Sequence, residues 1–418
     1  MARDYDVIVI GSGAAGLAAA VGAADSGASV LVVESEKRVG GSSRLSGGHF
    51  YAAGTSVQKE AGVVGDTAEA MFEHYMTLAQ SLVDPAVVRR YCELSAPTLE
   101  WAIGLGVKYP TEGLYASGVG STPRGHAPEG EGAEVINVLD GHRSAKGVDV
   151  VLNSRVTSLV TNDEGRVTGV KIGDDEATCG AVIMACGGFG NNPEMIEKYL
   201  PRAAATGDWR WYIGAEGARG DAITLGTAVG AVVDGHDRAL LLATPGFSND
   251  LEVALPGWII MVNKDGRRFC DETTSYTVMA GLLAKQGGHA WAIFDEAARA
   301  AAKRTPQFQA YWVDEVLEQK ANEGRIFRAD TLAELATKAG IDPDALEGTV
   351  ARYNTDAEAG QDTAFFKKGP LTPIATGPFY AAEIRAAILC WTGTGLRINA
   401  DTLTPAMLAG VELSDPKL

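Results

Sequence analysis

The chain has 418 residues, enough for two domains and a large core. Its 21% charged and 46% hydrophobic residues are ordinary for a folded globular protein, and its 51 glycines follow no repeat, which excludes collagen-like and low-complexity classes. A formal charge of −17 repels nucleic acid and anionic lipid, so neither is expected as a partner. Five cysteines (Cys92, Cys179, Cys186, Cys270, Cys390) form no CxxC, and six histidines show no metal-ligand spacing. Neither a disulfide framework nor a metal site is expected, and a reducing cytoplasm fits. MARDYDVIVIG leads directly into a strand-like run, leaving no room for a secretion signal, and no run of about 18 apolar residues predicts a membrane span.

The first element is DVIVI (6–10), a β-branched run of the kind buried on both faces of a parallel sheet. GSGAAG (11–16) follows, then a helical stretch, then the apolar run ASVLVVE. Strand, glycine-rich turn, helix and strand in this order form a dinucleotide cradle. Gly11 permits the turn, Gly13 with Ala14 and Ala15 brings backbone close to a pyrophosphate, and Gly16 lets the helix pack on the sheet. The helix N-terminus offers N–H groups and a positive dipole end to the phosphates. Glu34, followed by Ser35, stands 18 residues after Gly16 and suits a ribose diol, while it would repel a 2′-phosphate.

RVGGSSRLSGGHF (38–50) adds two glycine pairs, Gly40–Gly41 and Gly47–Gly48, with the hydroxyls of Ser42 and Ser43 between them. So many N–H and hydroxyl donors soon after Glu34 suit a ligand longer than a nicotinamide dinucleotide. Here the sequence resembles the FAD-dependent flavoproteins of the fumarate reductase/succinate dehydrogenase superfamily, which includes the 3-ketosteroid dehydrogenases. The resemblance continues through short strands and an NDEG turn in 147–172, with Val156 at the flavin nucleotide, and through AVIMACGGFGNN (181–192), with Ala185 and the Gly187–Gly188 pair. It extends to GARGDAITLGTAVGA (217–231), whose Asp221 faces the cofactor, and to VNKDGRRFCDE (262–272) and GPFYA (377–381).

The resemblance implies an α/β fold: a Rossmann-like FAD-binding domain over residues 1–240, continued by 388–418, with a mixed α+β cap domain inserted at 241–387. Within the cap, WAIFDEAARAAA (291–302) reads as strand then helix, and TLAELATKAGI (331–341) and DPDALEGTVARYNTDAEAG (342–360) read as helices. Non-covalent FAD is implied, because relatives that attach flavin through His carry it six residues before the second glycine pair, where Gly41 stands. No second strand–GxGxxG–helix unit occurs, so a separate electron donor or acceptor is expected.

Members of this superfamily interconvert CH–CH and C=C next to a carbonyl. One carbon exchanges a hydride with the flavin and its neighbour exchanges a proton with a side chain. Fumarate reductases clamp a dicarboxylate with Arg and His, yet residues 239–263 contain no Lys or Arg and 248–263 no His. RRFCDETTSY (267–276) instead resembles the ketosteroid pattern and implies Tyr276 as an active-site phenol, with a second from KYPTEGLY, Tyr109 or Tyr115. Phenols suit a neutral ketone because they act without a buried charge. ALLLATPGF (239–247) and LPGWIIM (255–261) are expected as apolar walls. The expected reaction introduces or reduces a double bond in a small apolar ketone such as a 3-ketosteroid. The alternatives are an enoate reductase and a non-catalytic flavoprotein. The last segment, TGTGLRINADTLTP (392–405) and MLAGVELSDPKL, does not match the family's C-terminal flavin segment, and weaker retention of FAD is expected from that.

Overall fold

The β-branched N-terminal run forms the strand Tyr5–Ile10, third in a six-stranded sheet ordered Asp149–Val151, Val30–Val33, Tyr5–Ile10, Asp175–Met184, Val167–Ile172, Val156–Thr161. The first four strands run parallel and the last two add on as antiparallel hairpins. Ile8, Ile10, Leu31 and Val33 enter the core on one face, and Val9, Val30 and Val32 pack with Ala19 and Ala20 of the helix Ala14–Asp25 on the other. Burial on both faces accounts for the unbroken apolar reading of these strands. Each such side chain contributes about 1.5–3 kcal/mol when fully buried. The NDEG turn closes as expected: Asn162 Oδ1 accepts the N–H groups of Glu164 and Arg166.

In this computed structural model the described residues are 3–117, 120–252, 254–305 and 307–402. Residues 403–418, which include most of the segment expected to depart from the family, lie outside them. The chain divides into two units: Met1–Tyr199 with Gly214–Arg238 and Thr392–Leu418, and Leu200–Ile213 with Ala239–Trp391. Leu200–Ile213, within the stretch read from sequence as FAD domain, groups with the second unit because Trp211–Tyr212 pairs in parallel with the long strand Phe379–Thr392.

Phe379–Thr392 also holds His289–Asp295 antiparallel, and that strand in turn holds Ile260–Val262. Alternation along them feeds two cores. Ile259, Met261, Ala292, Phe294, Tyr380 and Ala382 point to one, and Ile260, Val262, Trp291, Ile293 and Ala381 to the other. The helices read from sequence form as Glu296–Ala301, Leu332–Ala339 and Pro343–Ala359. Asp342 caps the last by accepting the Ala345 N–H at 2.9 Å, and Gly340 ends the one before it with a left-handed φ of +67°. Among the described residues no helix is long and apolar enough to cross a membrane.

Candidate functional site

The glycines of GSGAAG divide their labour by geometry. A Cβ on Gly16 would lie 1.9 Å from the Gly11 carbonyl oxygen, so this glycine permits helix and turn to touch. Gly11 has φ +99°, and a Cβ there would lie 2.5 Å from the Ala185 oxygen. Gly13 is different: a Cβ would meet nothing closer than Ser43 Oγ at 3.4 Å and the Gly40 oxygen at 3.9 Å, ordinary contact distances. Gly13 is also the N-cap of the helix Ala14–Asp25 and has no side chain of its own to cap it, while Ser43 Oγ accepts the Ala14 N–H at 3.1 Å. Backbone N–H groups and the positive helix end are thus left at the surface of a cleft.

That cleft lies wholly within the first unit. Gly11, Gly13, Ala14 and Ala15 line it, together with Glu34 and Ser35 from the second strand end, and Gly41, Ser42 and Ser43 from the short helix Gly41–Leu45. Val156, Ala185, Gly187 and Asp221 complete the predicted set. Four predicted residues do not line it, and each has a packing reason. Gly16 is buried under the turn. A Cβ on Gly47 would lie 2.7 Å from the His49 ring, one on Gly48 2.7 Å from the Gly132 nitrogen, and one on Gly188 2.2 Å from Thr392 Oγ1.

Glu34 is 5% exposed. Its carboxylate accepts the Ser12 N–H at 2.9 Å, the Ser12 hydroxyl at 2.5 Å, the Glu36 N–H at 2.9 Å and the Ser35 hydroxyl at 3.2 Å. Two of these donors are hydroxyl rotors, which a ribose diol can replace without leaving a buried charge unsatisfied. Of the lining residues that escaped the sequence reading, three carry a titratable side chain. Glu36 accepts the Gly217 N–H at 2.7 Å. Arg155 is the one basic side chain lining the cleft among the described residues; it ion-pairs with Asp221. Cys186 also lines it, and burial pushes its thiol up to about 12, so it stays protonated and inert. Nothing in the local sequence marks Arg155, whereas Glu36 could have been found two residues beyond Glu34 at the same strand end.

The phenols fall in three environments. Tyr109 is 8% exposed among Ala52, Val57, Leu99, Ala102 and Val107, its ring edge-on to His126. Burial raises its hydroxyl to about 12. It packs as a core residue. Tyr115 is half-buried and hydrogen-bonded to His49 and, at 2.8 Å, to the Tyr51 hydroxyl. Tyr276, in the second unit, is the half-buried first residue of the helix Tyr276–Lys285, whose N-cap Ser275 accepts the Thr277 N–H at 3.4 Å.

Before that helix, RRFCDE carries a buried charge cluster. Arg268 meets Glu272 at 2.9 Å and Asp362 at 3.0 Å, and Lys367 meets Glu272 at 2.9 Å. Glu272 also accepts the Met261 N–H at 2.9 Å, and Lys367 donates to the Ile259 carbonyl at 2.7 Å. Two positive and two negative groups balance, as burial requires. Arg267 is exposed, and Asp271 does not join the cluster but holds its own turn through Thr273. The segments read as apolar walls are largely core: Leu242, Ala243, Ile259, Ile260 and Met261 are all buried.

Glycine-opened backbone, a helix N-terminus and a buried carboxylate with no cationic partner among the described residues are what a dinucleotide with a pyrophosphate and a ribose requires. The profile of the FAD binding domain family matches residues 6–410. The chain belongs to this family. It is a flavoprotein of the fumarate reductase superfamily, and its cofactor is FAD. It is 32% identical over 399 residues to a fumarate reductase (cytochrome) of Shewanella frigidimarina, covering 92% of this chain and 66% of that reductase. A vinyl phenol reductase of Lactiplantibacillus plantarum is 30% identical over 433 residues, covering 95% of this chain and 85% of the relative. Among solved structures, a 3-ketosteroid-Δ4-(5α)-dehydrogenase from Rhodococcus jostii RHA1, in complex with 4-androstene-3,17-dione, superposes with a TM-score of 0.78 at 27% identity. That match covers 100% of this chain and 95% of the dehydrogenase.

Proposed function

We propose that this flavoprotein is a CH–CH oxidoreductase acting on an uncharged, largely apolar substrate, a 3-ketosteroid-like cyclic ketone, with a separate electron carrier. The carrying observation is what the second unit does with its charges. Arg268 and Lys367, the buried cations of RRFCDE and its neighbourhood, are neutralised by Glu272 and Asp362. Residues 239–263 add no Lys or Arg. A dicarboxylate buried without cations would meet a large desolvation penalty, and a ketone would not. Similarity to a dehydrogenase solved with 4-androstene-3,17-dione supports the same class.

FAD, when bound, accepts or supplies a hydride. The chain's own residues do the rest. Gly11, Gly13 and the helix N-terminus hold the pyrophosphate, and Glu34 with Ser12 and Ser35 holds the ribose. Tyr276 and Tyr115 are the phenols for the proton and the carbonyl. Attachment is non-covalent, Gly41 having no nucleophile, so acid precipitation should leave the flavin in the supernatant. The five free cysteines suit a reducing compartment such as the cytoplasm.

A second reading is reduction of an activated alkene, favoured by the identity to fumarate reductase and vinyl phenol reductase. The test is a paired assay of the FAD-loaded protein. Oxidation of a saturated 3-ketosteroid is followed with an artificial acceptor, and reduction of 4-androstene-3,17-dione, a vinyl phenol and fumarate with a reduced viologen. Turnover of ketones but not fumarate is expected. Fumarate turnover with no ketone turnover would overturn the neutral-substrate reading.

A further inference from the structure

A second opening adjoins the cofactor cleft. It is a groove of about 580 Å³ within the first unit, lined by Lys37, Arg38, Arg155 and Arg219 together with Glu36 and Glu216. Ser35, Glu36, Arg155, Ala215 and Gly217 line both the groove and the cleft, so the two share a wall. Four cations against two carboxylates give the groove a positive excess, in a chain whose formal charge is −17.

Chain geometry places these cations. Lys37 and Arg38 lie between the end of the strand Val30–Val33 and the short helix Gly41–Leu45, where a parallel sheet opens its ligand crevice. Arg219 lies just before the helix Asp221–Ala228. The two loops are tied together: the Gly217 N–H donates to Glu36 at 2.7 Å, and the Ala215 N–H to Ser42 Oγ at 2.9 Å. Gly217 fits tightly there, since a Cβ would lie 2.9 Å from Ser35 Oγ and 3.0 Å from Glu36 Oε1. Arg155 is ion-paired with Asp221. Lys37, Arg38 and Arg219 are exposed and carry no ion pair among the described residues.

The cleft alone is a poor attractor of its ligand. A dinucleotide pyrophosphate is a dianion near neutral pH. It approaches a chain of charge −17 through a mouth edged by Glu34 and Glu36, where Arg155 is already neutralised. Glycine backbone and a helix N-terminus act close to contact, within the first turn. Exposed cations on a concave wall act at longer range, and such focusing raises encounter rates by about 10–10³-fold.

We propose that Lys37, Arg38 and Arg219 form an encounter site for the pyrophosphate of incoming FAD, a role that rests on reading the adjoining cleft as the FAD cleft. The anion meets the groove first and crosses the shared wall at Glu36 and Gly217 into the glycine turn. The groove sets how fast the cofactor arrives, and the cleft sets how long it stays. Rim charges elsewhere divide in the same way, changing association and its salt dependence more than release.

The experiment measures FAD release from the loaded protein, by dilution into an excess of a flavin-trapping protein, and FAD affinity at equilibrium; the two together give the association rate. Both are taken at about 10 mM and about 1 M ionic strength, where charges act over roughly 30 Å and 3 Å. Association to the unmodified protein should fall at least about tenfold between the two. Lys37→Gln, Arg38→Gln and Arg219→Gln together should slow association about five- to tenfold at low ionic strength and leave it unchanged at high, with release within about twofold throughout. Lys59→Gln, Lys108→Gln and Lys146→Gln remove the same charge from exposed sites of the same unit that line neither opening. That control should associate within about twofold of the unmodified protein, and melting temperature should be unchanged in both triple variants. Equal slowing in the two would assign the effect to net charge and overturn the groove. So would an association rate indifferent to salt, or faster release from the groove variant, which would make the three cations contacts of the bound cofactor. Gly13→Ala alters the cleft alone and should speed release with association unchanged. Unchanged release there would overturn the cleft assignment, and the groove with it.

Discussion

The cofactor cleft of the first unit and the charge cluster of the second are both buried polar sites, built by opposite means. The cleft is made largely of absences: glycines with no Cβ and a helix whose N-cap glycine has no side chain, beside the Glu34 carboxylate fed by local donors. The cluster is made of presences: two cations and two carboxylates packed at 2.9–3.0 Å with no solvent between them. The first is poised to receive charge from a ligand. The second has consumed its own and has none to offer. A site for an anionic cofactor and a structural strut thus differ in whether the charges are already satisfied.

The contrast is broken most severely at Glu272. Glu272→Leu leaves Arg268 short of one partner and Lys367 without its carboxylate, and removal of one member of a buried ion pair costs about 3–5 kcal/mol. Thermal unfolding should show a large fall in melting temperature while flavin content, measured well below it, stays at the level of the unmodified protein. Next in size is the pair Gly16→Ala and Gly13→Ala. The first sets a Cβ 1.9 Å from a backbone oxygen and should cost about 1–3 kcal/mol of stability as overpacking does. The second meets nothing closer than a serine hydroxyl at 3.4 Å and should change stability by less than about 1 kcal/mol while weakening FAD binding. Equal losses of stability in the two would erase the distinction between packing glycine and ligand glycine.

Acid sharpens the comparison from the other side. Burial pushes the Asp362 carboxyl up, but hydrogen bonds from Arg268 and from the Phe365 and Ala364 N–H groups outweigh it and hold the group at about 2. A carboxyl whose folded value lies below its unfolded value stabilises the fold fully above the unfolded value, and loses that contribution as pH falls toward the folded one. Roughly 2 kcal/mol should therefore disappear between about pH 4 and pH 2. Asp362→Asn should flatten that limb of a denaturant-midpoint titration. An unchanged limb would show that the cluster does not carry this charge energy.

The same contrast explains what could be read from the sequence. The cleft is legible because its logic is local. Gly11, Gly13, Gly16 and Glu34 sit at spacings set by one strand, one turn and one helix, and the structure gives each a steric or hydrogen-bonding reason. Arg155 was illegible because its partner Asp221 stands 66 residues away, and neither residue is unusual in its own neighbourhood. The cluster is only half local: Arg268 and Glu272 are four residues apart, but Asp362 is 94 residues from Arg268 and Lys367 lies beyond it. Tyr109 and Tyr115 looked equivalent in KYPTEGLY. Only packing separated the core phenol from the one that joins a hydroxyl chain.

The central claim is that a neutral ketone exchanges its hydrogen at this flavin with phenols in place of cations. Its most direct test is single-turnover bleaching of the bound flavin by a saturated 3-ketosteroid, in the unmodified protein and in Tyr276→Phe. The account predicts bleaching in the former and slowing by about 10²–10⁴-fold in the latter, with FAD content and melting temperature unchanged. A Phe variant that keeps more than about half the rate would make Tyr276 an ordinary helix-start residue. Flavin that no ketone bleaches, in a protein whose reduced form fumarate reoxidises, would contradict the claim itself.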